Sequence, residues 1–135
     1  MKTHALRTSI LALVLTAAGH AQGTTQLRAD VPFNFTAGSS TLTAGVYTVE
    51  QGNGLIRIQS ARGKGGAFLV SHTGQCSPNQ TASRLVFHRY GDTYLLSQIW
   101  TQGNDCPRQV PVTRRERDLE ARHQAPDETI ILAIR

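Results

Sequence analysis

Aromatic residues are scarce in this chain: four Phe, three Tyr and one Trp among 135 residues. An outer-membrane β-barrel needs long lipid-facing alternation bordered by aromatic girdles. So few rings, on strands as short as those read below, argue against one. Cysteine is scarcer still. Cys76 and Cys106 are the only two, and no Cys-x-x-Cys is present to suggest a dithiol redox motif. Lysine is nearly missing, with Lys2 and Lys64 alone among fourteen basic residues. Gly-x-Ser-x-Gly, paired carboxylates at meaningful spacing and a P-loop are all absent. Tyr90 follows His88-Arg89, so the kinase-type His-Arg-Asp is absent too. There are no solenoid-period repeats and no low-complexity tail.

The one long apolar run lies at the start. Lys2 and Arg7 precede Ser9–Ala18, centred on Ile10-Leu11-Ala12-Leu13-Val14-Leu15. Gly19 and Ala21 then put small residues three and one before a cut between Ala21 and Gln22. A basic start, an apolar middle and small residues at the end describe a secretory signal peptide over residues 1–21. The run falls short of the ~20 residues that span a bilayer. The reading therefore predicts an exported protein, in the periplasm or outside the cell, with no transmembrane segment once the leader is removed. Neither a cysteine near the cut nor a twin arginine suggests lipidation or an alternative route.

Residues 22–135 form one domain's length. Loss of Lys2 and Arg7 leaves twelve bases against nine acids, a net charge of +3. That excess supports solubility but not a nucleic-acid partner. A domain of this size buries roughly two-thirds of its unfolded surface, so a disulfide would add usefully to a modest core. Export permits Cys76 and Cys106 to pair.

The patterning is that of β structure. Val31-Pro32-Phe33-Asn34-Phe35 alternates, and Ala37-Gly38-Ser39-Ser40 reads as a turn. Leu42 and Ala44–Glu50, Leu55–Ser60 and Ala67–His72 follow as strands, separated by the turn signals Gln51-Gly52-Asn53-Gly54 and Arg62-Gly63-Lys64-Gly65-Gly66. Arg84–Tyr90 and Thr93–Thr101 flank Gly91-Asp92, a two-residue hairpin suited to a type II′ turn. Pairing Tyr90 with Thr93 makes partner numbers sum to 183. Cys76 and Cys106 sum to 182, so an extended hairpin would bring them nearly opposite. Both hairpin strands are apolar on both faces, which predicts a central position. Thr113 with Glu116 fits a capping box opening a short, charged helix over Arg114–His123. Ile130-Ile131-Leu132-Ala133-Ile134 reads as a final buried strand. About seven strands and one late helix predict an all-β fold, either a small antiparallel sandwich or a partly closed barrel.

Three stretches carry a resemblance. Val31-Pro32-Phe33-Asn34-Phe35, Leu42-Thr43-Ala44-Gly45-Val46-Tyr47-Thr48-Val49 and the run Leu85–Trp100, containing Phe87-His88-Arg89-Tyr90-Gly91-Asp92, are similar to motifs of small exported proteins common in acidobacterial genomes. Thr43 stands where those proteins often have proline. The resemblance spans most of residues 22–135 and implies export and bacterial source, but no activity.

Candidate chemistry is thin. His72, His88 and His123 would bind zinc only by converging in space, since none has metal-site spacing. His88 with Asp92, or with Glu50, could make a base and its orienting partner; hairpin pairing is the competing account of the same residues. Trp100 and Tyr94 could floor a sugar site, though packing is the commoner use. Arg114–Arg122 balances its charges and reads as a solvated helix. The expected function is that of a non-enzymatic exported module that binds an envelope or extracellular ligand or serves envelope structure, with no cofactor. The alternative is a small hydrolase or metal-dependent enzyme built on His88 and Asp92.

Overall fold

The computed structural model describes residues 23–123 and 125–134. The predicted leader and the cut between Ala21 and Gln22 lie outside these residues.

The described residues form an all-β fold with one short helix. The first strand, β1 (Thr25–Val31), buries Leu27, Ala29 and Val31 and exposes Gln26, Arg28 and Asp30. This is the period-2 alternation of a half-buried strand. It was overlooked in the sequence, where a strand is read at Val31–Phe35 instead. Pro32 has no N–H to donate, so a ladder running to Val31 ends there. The chain then bends and restarts as β2 (Phe35–Ala37) and β3 (Ser40–Leu42), paired as a small hairpin. β4 (Gly45–Gly52), β5 (Leu55–Ser60) and β6 (Gly66–Val70) follow as an antiparallel meander. Asn53 and Gly54 join β4 to β5 with φ of 49° and 78°, the left-handed pair that a type I′ turn requires. β7 (His72–Thr73), β8 (Arg84–Tyr90), β9 (Thr93–Trp100) and β10 (Arg108–Gln109) precede α1 (Arg114–His123) and β11 (Glu128–Ala133). Seven of these eleven strands have five or more residues; β2, β3, β7 and β10 are short.

Two sheets result. One has the order β1-β4-β5-β6, and the other β11-β8-β9-β10-β7, with β2 lying parallel to β9 at Thr36 and Leu95. Both contribute to a single core. Leu27, Val31, Val49, Ile56, Ile58 and Leu69 come from the first sheet, and Leu85, Phe87, Leu96 and Ile99 from the second. As their double-sided apolarity predicts, β8 and β9 are interior strands.

The hairpin forms in the expected register. Tyr90 pairs with Thr93 and His88 with Leu95, and Gly91 takes φ 61° without Asp92 sharing it, as a type II′ turn demands. A β-bulge between Val86 and Phe87 then shifts the register by one, so that Arg84 meets Trp100. Cys76 and Cys106 are bridged, but not by a straight extension of this hairpin. After β9 the chain doubles back, and β10 inserts between β9 and β7. The cysteines lie just beyond the β7–β10 pair, in a loop ladder where Gly74 N donates to Pro107 O and Ser77 N to Asp105 O.

The bridge closes a loop with a sequence separation of 30, worth about 3–4 kcal/mol in the chain-entropy picture. Replacing both cysteines by serine is expected to cost about that much in urea unfolding. The loss should match that produced by reducing the parent protein.

Candidate functional site

Of the predicted site residues, His88 and His123 lie where α1 packs on β8. Thr113 caps the helix, its Oγ1 accepting from Glu116 N at 3.2 Å. Glu116 sits in the first turn, and Arg122 and His123 in the last, a distribution that complements the helix dipole. The helix is not solvated all round, as its balanced charge suggests. Glu116 is only 8% exposed, and its carboxylate lies 3.5 Å from His88 Nδ1. A second contact of the same kind joins His123 Nδ1 to Asp127 Oδ1 at 3.9 Å. The other oxygen of Asp127 accepts from Gly91 N at the hairpin turn. Between these two contacts lies the buried Tyr90, its ring centroid 6.1 Å from that of His123. Burial raises the Tyr90 pKa above 10, and the Glu116 and Glu120 charges push it further up, because each disfavours a phenolate.

The partner of His88 is therefore Glu116, from a part of the chain with no sequence signal for it. Asp92 is exposed in the turn and lines a small cleft of about 110 Å³ with Asn34, Thr36 and Arg115. Glu50 belongs to the other sheet, 3.7 Å from Arg57. The three histidines do not converge. His72 is exposed on β7, and among the described residues no group of three or more His, Cys, Asp or Glu is placed to hold a metal. The two aromatic candidates are structural. Trp100 is buried, donates from Nε1 to Gln98 Oε1 and carries the Arg84 guanidinium 4.6 Å from its ring centroid. Tyr94 stacks on Phe33 at 4.1 Å. The histidine–carboxylate contacts thus strap the helix to the hairpin.

A different surface has the form of a binding site. At one end of the two sheets, the β4–β5 turn and the β9–β10 loop enclose an open groove of about 490 Å³. That volume lies in the range of small-molecule sites. Its side chains are neutral and polar (Gln51, Asn53, Thr101, Gln102 and Asn104) with one exception, Arg108. Gln51 Nε2 donates to Thr101 Oγ1 at 3.0 Å and fixes one wall. Arg108 is half-buried and is held by hydroxyls, with Nε donating to Ser71 Oγ at 3.0 Å and Nη1 to Thr73 Oγ1 at 3.3 Å. Its Nη2 lies over Gly54, 3.4 Å from where a Cβ would be, so glycine there leaves the guanidinium room. Among the described residues no carboxylate is within ion-pair distance of Arg108. Sequence reading missed this groove because its parts come from turns and loops separated by up to 83 positions in the chain.

No family model, curated protein or solved structure matches the chain. Among the described residues no helix is long and apolar enough to cross a membrane.

The Tyr90 environment has a pH consequence. The unfolded chain ionises this tyrosine near its ordinary value of about 10, while the folded protein resists ionisation. The stability contributed by Tyr90 is thus fully present below pH 10 and is lost as pH rises through its folded pKa. Urea unfolding between pH 8 and 12 should show a steeper alkaline fall for the parent than for Tyr90→Phe. Glu116→Gln should lie between them, because it removes one of the charges that oppose the phenolate.

Proposed function

We propose that the protein is an exported, non-enzymatic β-domain that binds an anionic, polar ligand in the bacterial envelope or outside the cell. On this reading it belongs with the small exported acidobacterial proteins whose motifs it resembles. The observation that carries the binding role is Arg108. A half-buried guanidinium held by two neutral hydroxyls, in a groove otherwise lined by amides and hydroxyls, is met by no carboxylate among the described residues. A carboxylate or similar anion would supply the missing partner, and charge-assisted hydrogen bonds of this kind are the strong ones. The surrounding amides would take the polar body of the same ligand. The Cys76–Cys106 bridge at the loop ladder fits an oxidising compartment and stiffens a segment close to the groove.

Two measurements test the reading. Intact mass of the protein recovered from a bacterial host should correspond to a chain beginning at Gln22 with no alkylatable thiol. A retained Met1 overturns the export on which the reading rests. For the groove, an oligogalacturonate and its methyl ester serve as matched charged and neutral probes. The acid is expected to bind and the ester not, with Arg108→Gln weakening the acid about ten- to a hundredfold, the usual worth of a hydrogen bond to a charged group. Equal binding of acid and ester, or parental affinity in Arg108→Gln, would remove the groove from the proposal.

A further inference from the structure

The sheet of β1, β4, β5 and β6 has two edges, and they differ. β1 carries Arg28 and Asp30 on its exposed face, the kind of charge that blunts an edge against unwanted pairing. β6 is Gly66-Ala67-Phe68-Leu69-Val70, with no charge and no proline. Phe68 is 66% exposed and Val70 67%. Beside them on β5, Leu55, opposite Val70, is 39% exposed. These are three of the four large apolar side chains exposed among the described residues.

The hydrogen bonding of β6 can be read from its register. Ser60 N donates to Gly65 O and Ser71 N to Gly54 O, so these two pairs are bonded across the β5–β6 ladder. Bonded and non-bonded pairs alternate in an antiparallel ladder. Ile58–Ala67 and Ile56–Leu69 are then the bonded pairs between them. It follows that Gly66, Phe68 and Val70 turn their N–H and C=O groups away from β5, towards the open edge. The residues with outward side chains are the same ones that offer backbone donors and acceptors. Among the described residues no strand pairs with this edge. A groove of about 640 Å³, lined by Ser40, Gly65, Gly66 and Phe68 among others, runs beside it.

We propose that β6 is the self-association edge of the protein, pairing antiparallel with β6 of a second copy about a two-fold axis at Phe68. The edge is its own complement. Phe68 faces Phe68 of the second copy and exchanges two hydrogen bonds with it, and Gly66 faces Val70 on either side, so all six outward groups are satisfied. The two four-stranded sheets become one of eight strands, and the apolar row formed by Phe68 and Val70 meets its own image. In this register the β5–β6 turn of one copy comes to lie beside Ser71, His72 and Thr73 of the other. This isologous arrangement closes as a dimer and does not propagate. A five-residue strand pair is at the small end of specific interfaces, below about 1,200 Å². Association is therefore weak and concentration-dependent, and it presents two ligand grooves on one particle.

The test uses the parent protein with its disulfide formed. Sedimentation velocity between about 10 μM and 1 mM, the range in which so small an interface would titrate, should show monomer passing to dimer. Backbone amide exchange should resolve an alternation. Ala67, Leu69 and Ser71 are slow at every concentration, whereas Gly66, Phe68 and Val70 are fast when dilute and become protected as the dimer fills. Phe68→Lys, at an exposed side chain outside the core, should weaken association about tenfold or more with an unchanged unfolding midpoint. Leu55→Lys separates edge pairing from stacking of the apolar face, because it alters the patch and leaves the edge intact. A protein that stays monomeric throughout overturns the proposal. So does a dimer that survives Phe68→Lys, or one that Leu55→Lys disrupts as strongly with no protection of the three edge amides.

Discussion

The two sheets depend on one aromatic junction. Phe87, fully buried at the middle of β8, meets Phe33 and Phe35 edge-on, with ring centroids 5.1 and 5.5 Å away. Phe35 in turn meets Tyr47 of β4 at 5.3 Å, and Tyr94 stacks on Phe33. Five of the eight aromatic rings in the chain are thus used at the place where the sheets face each other. Each such pair contributes about 0.5–1.5 kcal/mol beyond the area it buries, and together they set the spacing into which the aliphatic residues of both sheets pack. The Tyr47 hydroxyl donates to Thr43 O at 2.6 Å, which pins the entry to β4 and gives the ring a partner for its polar end. An aromatic-poor chain can still build a well-defined core when its few rings converge on one point.

That junction explains why the bend at Pro32 matters. β1 belongs to one sheet and β2 to the other, so the chain must cross between layers within three residues. Phe33, in the crossing, is half-buried and packs against Phe87 and Tyr94. The motif that reads as one alternating strand is therefore the end of one strand, a crossing and the start of another. Its alternation is real, because Val31, Phe33 and Phe35 all turn towards the core, but the backbone ladder is interrupted. Periodicity reports which side a residue faces and not whether its neighbours are paired.

The same distinction runs through the functional surfaces. The hairpin at Gly91-Asp92, the turn at Asn53-Gly54, the helix cap at Thr113 and the pairing of Cys76 with Cys106 were all legible, since each depends on residues close in sequence or on a unique partner. The second member of the histidine contact was not. Glu116 reads as one acid among several on a charged helix, and only docking on β8 selects it for burial beside His88. Arg108 gives no signal at all in the sequence, because its place over Gly54 and its hold on Ser71 and Thr73 join distant segments, and the absence of a carboxylate beside it among the described residues is encoded by no local pattern. Burial of Tyr90 has the same origin: its place in the hairpin was readable, but the helix that covers it arrives from more than twenty residues downstream.

By itself the sequence determined the class of fold, the long strands from Gly45 onward, the central hairpin with its turn type, and the capped helix, because backbone sterics and the two-residue side-chain period act over a few neighbouring positions. Tertiary structure decided the division of strands between two sheets, the insertion of β10 between β9 and β7, the assembly of the polar groove around Arg108 and the exposure of β6 as an unguarded edge. Each of those depends on which distant segments lie side by side. The energy of that choice comes from burying a shared apolar layer, and such burial is non-directional: many pairings of the same alternating strands would satisfy it locally, and only the packing of the whole core selects one.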